Sequence, residues 1–402
     1  MGMDDHEFRL LTIPPPIHPE DPDSPLPETI LIDSFGYLSN RTNATTANGR
    51  RSRTKKKGKR ILVTFWPAAP LRVSCFTVHC PDPKADAYGS IPKVCYTEDG
   101  LALLCVTICP ERQYMYAKNI RYFVYQAGTK NTPPSVKLVH SPPDFTFFDH
   151  EVALLRRRDQ DMFFIAVLRR AFVEREYTDG HFHLHLYSSK TKTWSTKLMR
   201  LDSPPDFEFH SRNKGITIGG EHGSVGWVDL RRGILICDLL LLDSNQSLRY
   251  VPLPSPLSPE PLQRYPLSVR NIVVLQGYIK YFEMHNNGRP SSYTGSSPIL
   301  EGYPALSLHD GDVVYLMHTP VPREGKACVI ALDMRNKTVK GVANFGSGRP
   351  LGYHFTYLES GISKHLGILS STRMVNIVSA FNLLAFTFPS KNSALAAPCY
   401  HI

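Results

Sequence analysis

From Glu28 onward the chain is written in short apolar runs separated by turn residues. VCYTEDG, LALLCVTIC, IRYFVYQAG, SVKLVH, HFHLHLYSS, TWSTKLMRL, GWVDLRRGILICDLL, LRYVPLP, NIVVLQGYIKYFE, DVVYLMH, ACVIALDM and TVKGVANFG follow one another with Gly, Pro, Asn, Asp or Ser between them. Runs of four to eight residues, rich in Val, Ile, Tyr and Phe and bounded by such signals, are strand-forming. Only the stretch from Asp149 to Glu176 is long enough for a helix. Its segment from Met162 to Leu168 is better read as a buried strand, because of its aromatic and aliphatic content.

The block LHLYSSKTKTW (Leu184 to Trp194) gives a strand, a polar turn and a Trp opening the next strand. This is the hairpin habit of propeller blades in kelch-like and F-box-associated domains, and Trp194 is expected to fill the space between neighbouring blades. The pentapeptide SPPDF occurs at Ser141 to Phe145 and again at Ser203 to Phe207, a weak internal repeat. The fold class expected is all-β, a β-propeller-like array of short antiparallel strands. A body of roughly 330 residues at about 50 per blade allows about six blades. Residues 1–27 carry Pro at 14, 15, 16, 19, 22, 25 and 27 and read as a disordered Pro-rich leader. The body runs over 28–365, with ETILIDSFGYL as its first strand, and an atypical C-terminal tail covers 366–402. The tail segment from Met374 to Ser390 is uncharged but shorter than the ~20 residues of a membrane span, so no membrane association is expected.

Charge changes this picture at one place. The chain has 46 Lys and Arg against 36 Asp and Glu, a formal net charge of +10. Eight of those charges lie in RRSRTKKKGKR: Arg50, Arg51, Arg53, Lys55, Lys56, Lys57, Lys59 and Arg60. The remainder is nearly neutral, so the run reads as an exposed loop, over 41–60, inserted in a sheet protein. A flexible cation cluster suits an importin groove or phosphates, and its bland reading is a solvated loop. Aromatics are not interleaved with it, so base reading is unsupported. Eight cysteines are too few for a disulfide scaffold and several sit in apolar runs, which implies reduced, buried thiols. No secretory signal is visible, and a cytoplasmic or nuclear location is expected.

Candidate chemistry is sparse. His181, His183 and His185 alternate with Phe182, Leu184 and Leu186, so three imidazoles share one strand face. They are weak metal candidates, since no fourth ligand is fixed, and a polar strand face is the preferred reading. CFTVHC (Cys75 to Cys80) lacks a matching second pair and reads as buried strand thiols. GGEHGSVGW (Gly219 to Trp227) lacks the G-K-[ST] ending of a phosphate loop and is taken as a blade-connecting loop. Asp229 and Asp238 flank a strand-turn-strand; a carboxylate pair for acid/base work is conceivable there, but binding to turn amides and Arg side chains is preferred. No catalytic motif is found, so no enzyme activity and no cofactor are expected.

GWVDLRRGILICDLL (Gly226 to Leu240), LRYVPLPSPL (Leu248 to Leu257) and RNIVVLQGYIKYFE (Arg270 to Glu283) closely resemble the plant family known as domain of unknown function 1618, expanded in grasses. The likeness covers roughly 28–365, with its core over about 226–350. Gly226, Trp227, Asp229, Gly233, Asp238, Arg249, Tyr250 and Arg270 match the family pattern, while Asn271 stands where the pattern has Asp and Phe282 where it has Val. The resemblance implies a β-propeller-like fold and no catalytic or ligand residues, so the matching positions are expected to be structural. The function expected is a non-enzymatic interaction scaffold that binds a protein partner through loops at one face. The alternatives are a nuclear protein contacting nucleic acid or chromatin through the basic loop, and an enzyme with its site in the propeller funnel.

Overall fold

A computed structural model describes residues 11–16, 27–51, 60–81, 87–109, 119–140, 142, 145–173, 176–202, 211–243, 247–256, 265–284, 302–318, 327–345, 356–366 and 399–401. The elements described are strands joined by turns and short 3-10 helices. They fall into six groups in chain order. The first contains β1 (Ile30–Asp33), β2 (Tyr37–Leu38), β3 (Ala47–Arg50), β4 (Arg60–Trp66) and β5 (Val73–His79), joined by β25 (Tyr357–Ser360) from the other end of the body. The second contains β6 (Ala87–Tyr88), β7 (Lys93–Glu98), β8 (Leu101–Cys109), β9 (Ile120–Gln126) and β10 (Ser135–Val139). The third is the meander β11 (Val152–Arg157), β12 (Met162–Val173), β13 (Glu176–Ser188) and β14 (Thr193–Asp202). The fourth is the meander β15 (Lys214–Gly219), β16 (Ser224–Asp229), β17 (Gly233–Asp238) and β18 (Ser247–Pro252). The fifth contains β19 (Arg270–Leu275), β20 (Tyr278–Glu283) and β26 (Cys399–His401), and the sixth is β21 (Ala305–Leu306), β22 (Val313–His318), β23 (Cys328–Asp333) and β24 (Thr338–Asn344).

The packing joins these groups face to face. In β8, Leu101 and Leu103 enter a core shared with the third group, while Ala102, Leu104 and Val106 enter one shared with the first. Burial on both faces is why LALLCV is continuously apolar rather than alternating. Trp227, Leu235 and Leu184 join the third and fourth groups; Ile236, Ile272 and Tyr281 join the fourth and fifth; Val273, Phe282 and Leu316 join the fifth and sixth. Leu31 and Tyr357 then pack with Tyr315 and Met317, which returns the sixth group to the first. The cores therefore run round a closed ring of six groups of strands, and the all-β class expected from the sequence is what the structure shows.

Residues 28–33 and 357–365 close the ring. β25 pairs antiparallel with β1, Ile30 opposite Ser360 and Asp33 opposite Tyr357. The Glu28 carboxylate holds Lys364 and His309, each at 2.9 Å. Trp194 sits where the sequence places it, in the core between the second and third groups. Its Nε1 donates to the His140 carbonyl at 2.5 Å, and its ring packs near Phe145, Phe147 and Tyr187. The segment from Met162 is strand, as expected.

Several expectations need correction. The strands are not uniformly antiparallel: β1 and β2 pair parallel with β5, and β14 pairs parallel with β18. The last pairing fuses the third and fourth groups into one eight-stranded sheet. ETILIDSFGYL is two strands, because Asp33 and Ser34 turn the chain by accepting from Phe35 N and donating to Thr356 O. Gly219 to Trp227 does not connect two groups. It is the β15–β16 hairpin within the fourth group, made by Gly219, Gly220 and Gly223 at positive φ, and Ser224 to Trp227 already belong to β16. The loop over 41–60 begins as strand, with Ala47–Arg50 paired to β4, and Arg51 is buried rather than exposed. Leu11, within the leader, is also buried. Arg53, Lys55, Lys56, Lys57 and Lys59, Ser141, Pro143 and Asp144 of the first SPPDF copy, the whole of the second copy and the uncharged tail from Met374 to Ser390 lie outside the described residues.

Candidate functional site

Strands β7, β15, β19 and β25, together with the segments just before β11 and β21, line a central cavity of about 1480 Å3. Residues at strand starts meet one another, as do residues at strand ends. Lys93 pairs with Asp149 just before β11, and Asn271 bonds the Pro304 carbonyl just before β21, whereas Asp99 after β7 meets Arg158 after β11 and His365 after β25. β7 and β11 thus run the same way, as do β19 and β21, and we call the Lys93–Asp149 side of the cavity its start end and the Asp99–Arg158 side its finish end.

The start end is an aromatic mouth. The Lys93 ammonium lies 2.8 Å from Asp149 and 5.5 Å from the centroid of the Phe35 ring. Burial alone would raise the Asp149 carboxyl, but the His150 hydrogen bond and the Lys93 charge hold it well below the usual carboxylate range. Phe148 stacks on His150, 5.6 Å between centroids and 6° from parallel, and remains 55% exposed. Tyr265 lines the same end and is 43% exposed. Its hydroxyl is pushed up by burial and by the Asp149 charge.

A polar network at the starts of β15, β19 and β21 reaches Glu359 of β25. Lys214 Nζ lies 2.6 Å from Glu359 Oε1 and donates to Asn271 Oδ1 at 2.9 Å, while Asn271 Nδ2 donates to Pro304 O at 2.6 Å and to Glu359 Oε2 at 3.3 Å. Further along, Tyr96 and Thr217 hydroxyls meet at 3.0 Å, and Thr217 donates to Leu154 O at 2.6 Å. Burial, reinforced by the Asp99 charge, pushes the Glu98 carboxyl up to about 8, so it carries its proton at neutral pH. Asp99 is ionised; burial opposes this, but hydrogen bonds from Arg158 and His365 prevail.

The sequence-selected residues lie elsewhere. His181, His183 and His185 share the partly exposed face of β13, opposite buried Phe182 and Leu184, as expected. His185 packs against Phe145, 4.1 Å between centroids, and its Nδ1 lies 2.9 Å from Thr196 Oγ1. Burial and the neighbouring His183 and Arg169 charges bring its pKa down to about 4. Among the described residues no cluster of three or more His, Cys, Asp or Glu is placed to hold a metal ion. Asp229 opposes Gly233 and Asp238 opposes Ser224, at opposite ends of one hairpin, so the conceivable carboxylate pair does not form. Asp229 accepts from Arg231 N and Ser211 N, and Asp238 holds Ser224 and Arg249. The matching glycines serve close approach: a Cβ on Gly233 would lie 2.5 Å from the Tyr250 ring, and one on Gly226 3.0 Å from Ile216 and Ile234. Trp227 donates to Glu151 O at 2.8 Å and Arg270 pairs with Glu283 at 2.6 Å, both in the buried core. Arg50 and Arg60, the other described members of the basic run, are exposed and face each other across β3 and β4.

The cavity residues Lys93, Asp149, Lys214, Tyr265 and Glu359 carry no motif that marks them in sequence. Asn271 does carry a signal, as the departure from the family pattern.

Residues 227–298 match the model of the family described as Protein of unknown function (DUF1618). No curated protein matches the chain. Among solved structures, a protein of unknown function from Dyadobacter fermentans DSM 18053 is similar at 15% identity over 65% of this chain and 69% of its own, with a TM-score of 0.26. A xylan beta-1,4-xylosidase from Bacillus halodurans C-125 is similar at 13% identity over 70% of this chain and 52% of its own, TM-score 0.28. A putative 6-phosphogluconolactonase from Bacteroides fragilis NCTC 9343 reaches 8% identity over 85% of this chain and 99% of its own, TM-score 0.26. At these TM-scores the likenesses carry no argument about fold or activity. No helix among the described residues is long and apolar enough to cross a membrane.

Proposed function

We propose that the chain is a non-enzymatic interaction scaffold of the domain of unknown function 1618 family, acting in the cytoplasm or nucleus, and that its partner docks at the aromatic mouth of the central cavity. One observation carries this reading: Phe148 and Tyr265, two of the large hydrophobic side chains most exposed to solvent, line the same mouth beside the Lys93–Asp149 pair. Aromatic anchors next to a charged pair are the composition of binding hot spots. Proximity labelling in leaf cells with the wild-type chain and with Phe148→Ala/Tyr265→Ala tests it. Loss of specific partners in the double variant is expected; an unchanged partner set overturns the mouth as the docking site.

The cross-strand pair of Arg50 and Arg60 favours a second reading, contact with nucleic acid or an import receptor through the basic loop. Like charges directly opposite on paired strands are unfavourable, and an anionic partner relieves them. Neutralising the run's exposed cations is then expected to change compartment or salt-dependent binding. Neither changing overturns this reading.

A further inference from the structure

We propose that the mouth takes an uncharged, hydroxyl-rich ligand of the oligosaccharide class, stacked on Phe148 and Tyr265 and hydrogen-bonded to the Lys93–Asp149 pair. This rests on the reading of the mouth as the binding surface, and names what it binds.

The first argument is charge. Lys93 is matched by Asp149, Lys214 by Glu359, and Asp99 by Arg158. A charged ligand gains no unmatched counter-charge from these pairs, because each already neutralises itself. Such a pair nevertheless keeps hydrogen-bonding capacity, because an ammonium has three donors and a carboxylate about four lone-pair sites. A hydroxyl both donates and accepts, so a polyol can bridge the two ends of an intact pair. Glu98 extends the same logic deeper, as a protonated acid that offers a donor without charge.

The second argument is shape. A sugar ring presents a flat apolar C–H face, and an exposed aromatic face is its natural platform. Phe148 is held with one ring face stacked on His150. Tyr265 adds a second platform next to Asp149, whose charge reaches its hydroxyl. The third argument is size: the cavity as a whole holds about 1480 Å3, above the roughly 300–1,000 Å3 of sites for single small molecules, so it does not restrict a ligand at the mouth to a single ring.

The test is calorimetric titration of the purified full chain with neutral hexasaccharides of β-1,4-linked glucose, xylose, mannose and N-acetylglucosamine, and with oligogalacturonate as the acidic control. At least one neutral member is expected to bind with a Kd of about 1 mM or tighter. Binding should weaken at least about tenfold in Tyr265→Ala and in Phe148→Ala, a loss of roughly 1.4 kcal/mol or more, and should be unchanged in Leu198→Ala, an exposed position on β14. A glycoprotein carrying the best glycan, assayed before and after enzymatic deglycosylation, separates a free saccharide from a glycan on a protein. Binding of the glycoprotein alone assigns the glycan source; binding of both supports the shared chemistry. No neutral binder, equal or better binding of the acidic control, or binding unaffected by either aromatic substitution overturns the proposal. Partner capture that needs Phe148 and Tyr265 but survives deglycosylation overturns the ligand class while leaving the mouth as docking site.

Discussion

Lys214 and Glu359 are 145 residues apart in sequence, yet their side chains meet at 2.6 Å across the axis of the ring. Lys214 starts the inner strand of the fourth group and Glu359 lies on the inner strand of the first. In a ring of six these groups face each other, so the pair ties opposite walls together. The side chains are 23% and 10% exposed, which places the pair where an unmatched charge is costly. Glu359→Ala is expected to destabilise by about 3–5 kcal/mol, because it strands the Lys214 ammonium. Lys214→Met/Glu359→Leu should recover most of that loss. Urea unfolding of the wild type, the single variant and the double variant checks this; equal loss in single and double variants would show that packing, not charge pairing, matters here.

Asn271 supplies the amide that joins this pair to the sixth group. Asp at this position, as in the family pattern, would lose the donors to Pro304 O and Glu359 Oε2 and set a second carboxylate beside Glu359. One cation, Lys214, would then serve two carboxylates. Asn271→Asp is expected to destabilise by about 1–3 kcal/mol at neutral pH, with the loss shrinking as pH falls and one carboxyl takes up a proton. Thermal unfolding at about pH 7 and about pH 5 measures it, and a loss independent of pH would refute the shared-carboxylate account.

Glu98 gives a pH dependence of defined sign. Its carboxyl is raised from 4.5 to about 8 by burial and by Asp99. Between those values the folded chain keeps a proton that the unfolded chain has released, so this group's contribution is full below about 4.5 and is lost as pH rises toward 8. Glu98→Gln keeps the uncharged hydrogen-bonding side chain and removes the titration. The variant is therefore expected to lose less stability than wild type between about pH 5 and about pH 8.5, read by urea midpoints. Parallel pH profiles in the two proteins would remove Glu98 as the cause.

How far the sequence reaches follows from how local each feature is. β12 is legible because both its faces pack, which gives an unbroken aromatic and aliphatic run. The His181 to Leu186 alternation is legible because one face of β13 is buried and the other is not. The turn between β7 and β8 follows from Asp99-Gly100, both at positive φ, a pair that suits the twist of a hairpin. The cavity is not legible in the same way. Lys214 and Glu359 become neighbours only when β25 pairs with β1 and closes the ring, and Lys93 and Asp149 only when the second and third groups pack; nothing local marks either event. The parallel β14–β18 pairing is hidden for the same reason, since it depends on how two meanders lie side by side.

Arg270 shows what the family-pattern residues do. It opposes Glu283 across β19 and β20, bonds it at 2.6 Å, and donates to the Leu230 carbonyl at 2.7 Å. Glu283 in turn accepts from the Tyr281 hydroxyl at 3.1 Å. Both charged residues are buried, so removing one leaves the other without a counter-charge. Arg270→Met is expected to cost about 3–5 kcal/mol, and Arg270→Lys less, because the ammonium keeps the charge but loses the forked geometry. Neither Arg270 nor Glu283 lines the cavity. Any protein that remains folded at reduced temperature should therefore bind saccharide or partner as wild type does. Circular dichroism melting together with the calorimetric titration separates the two effects, and a folded Arg270→Lys protein with weakened binding would assign this residue to the site instead of the scaffold.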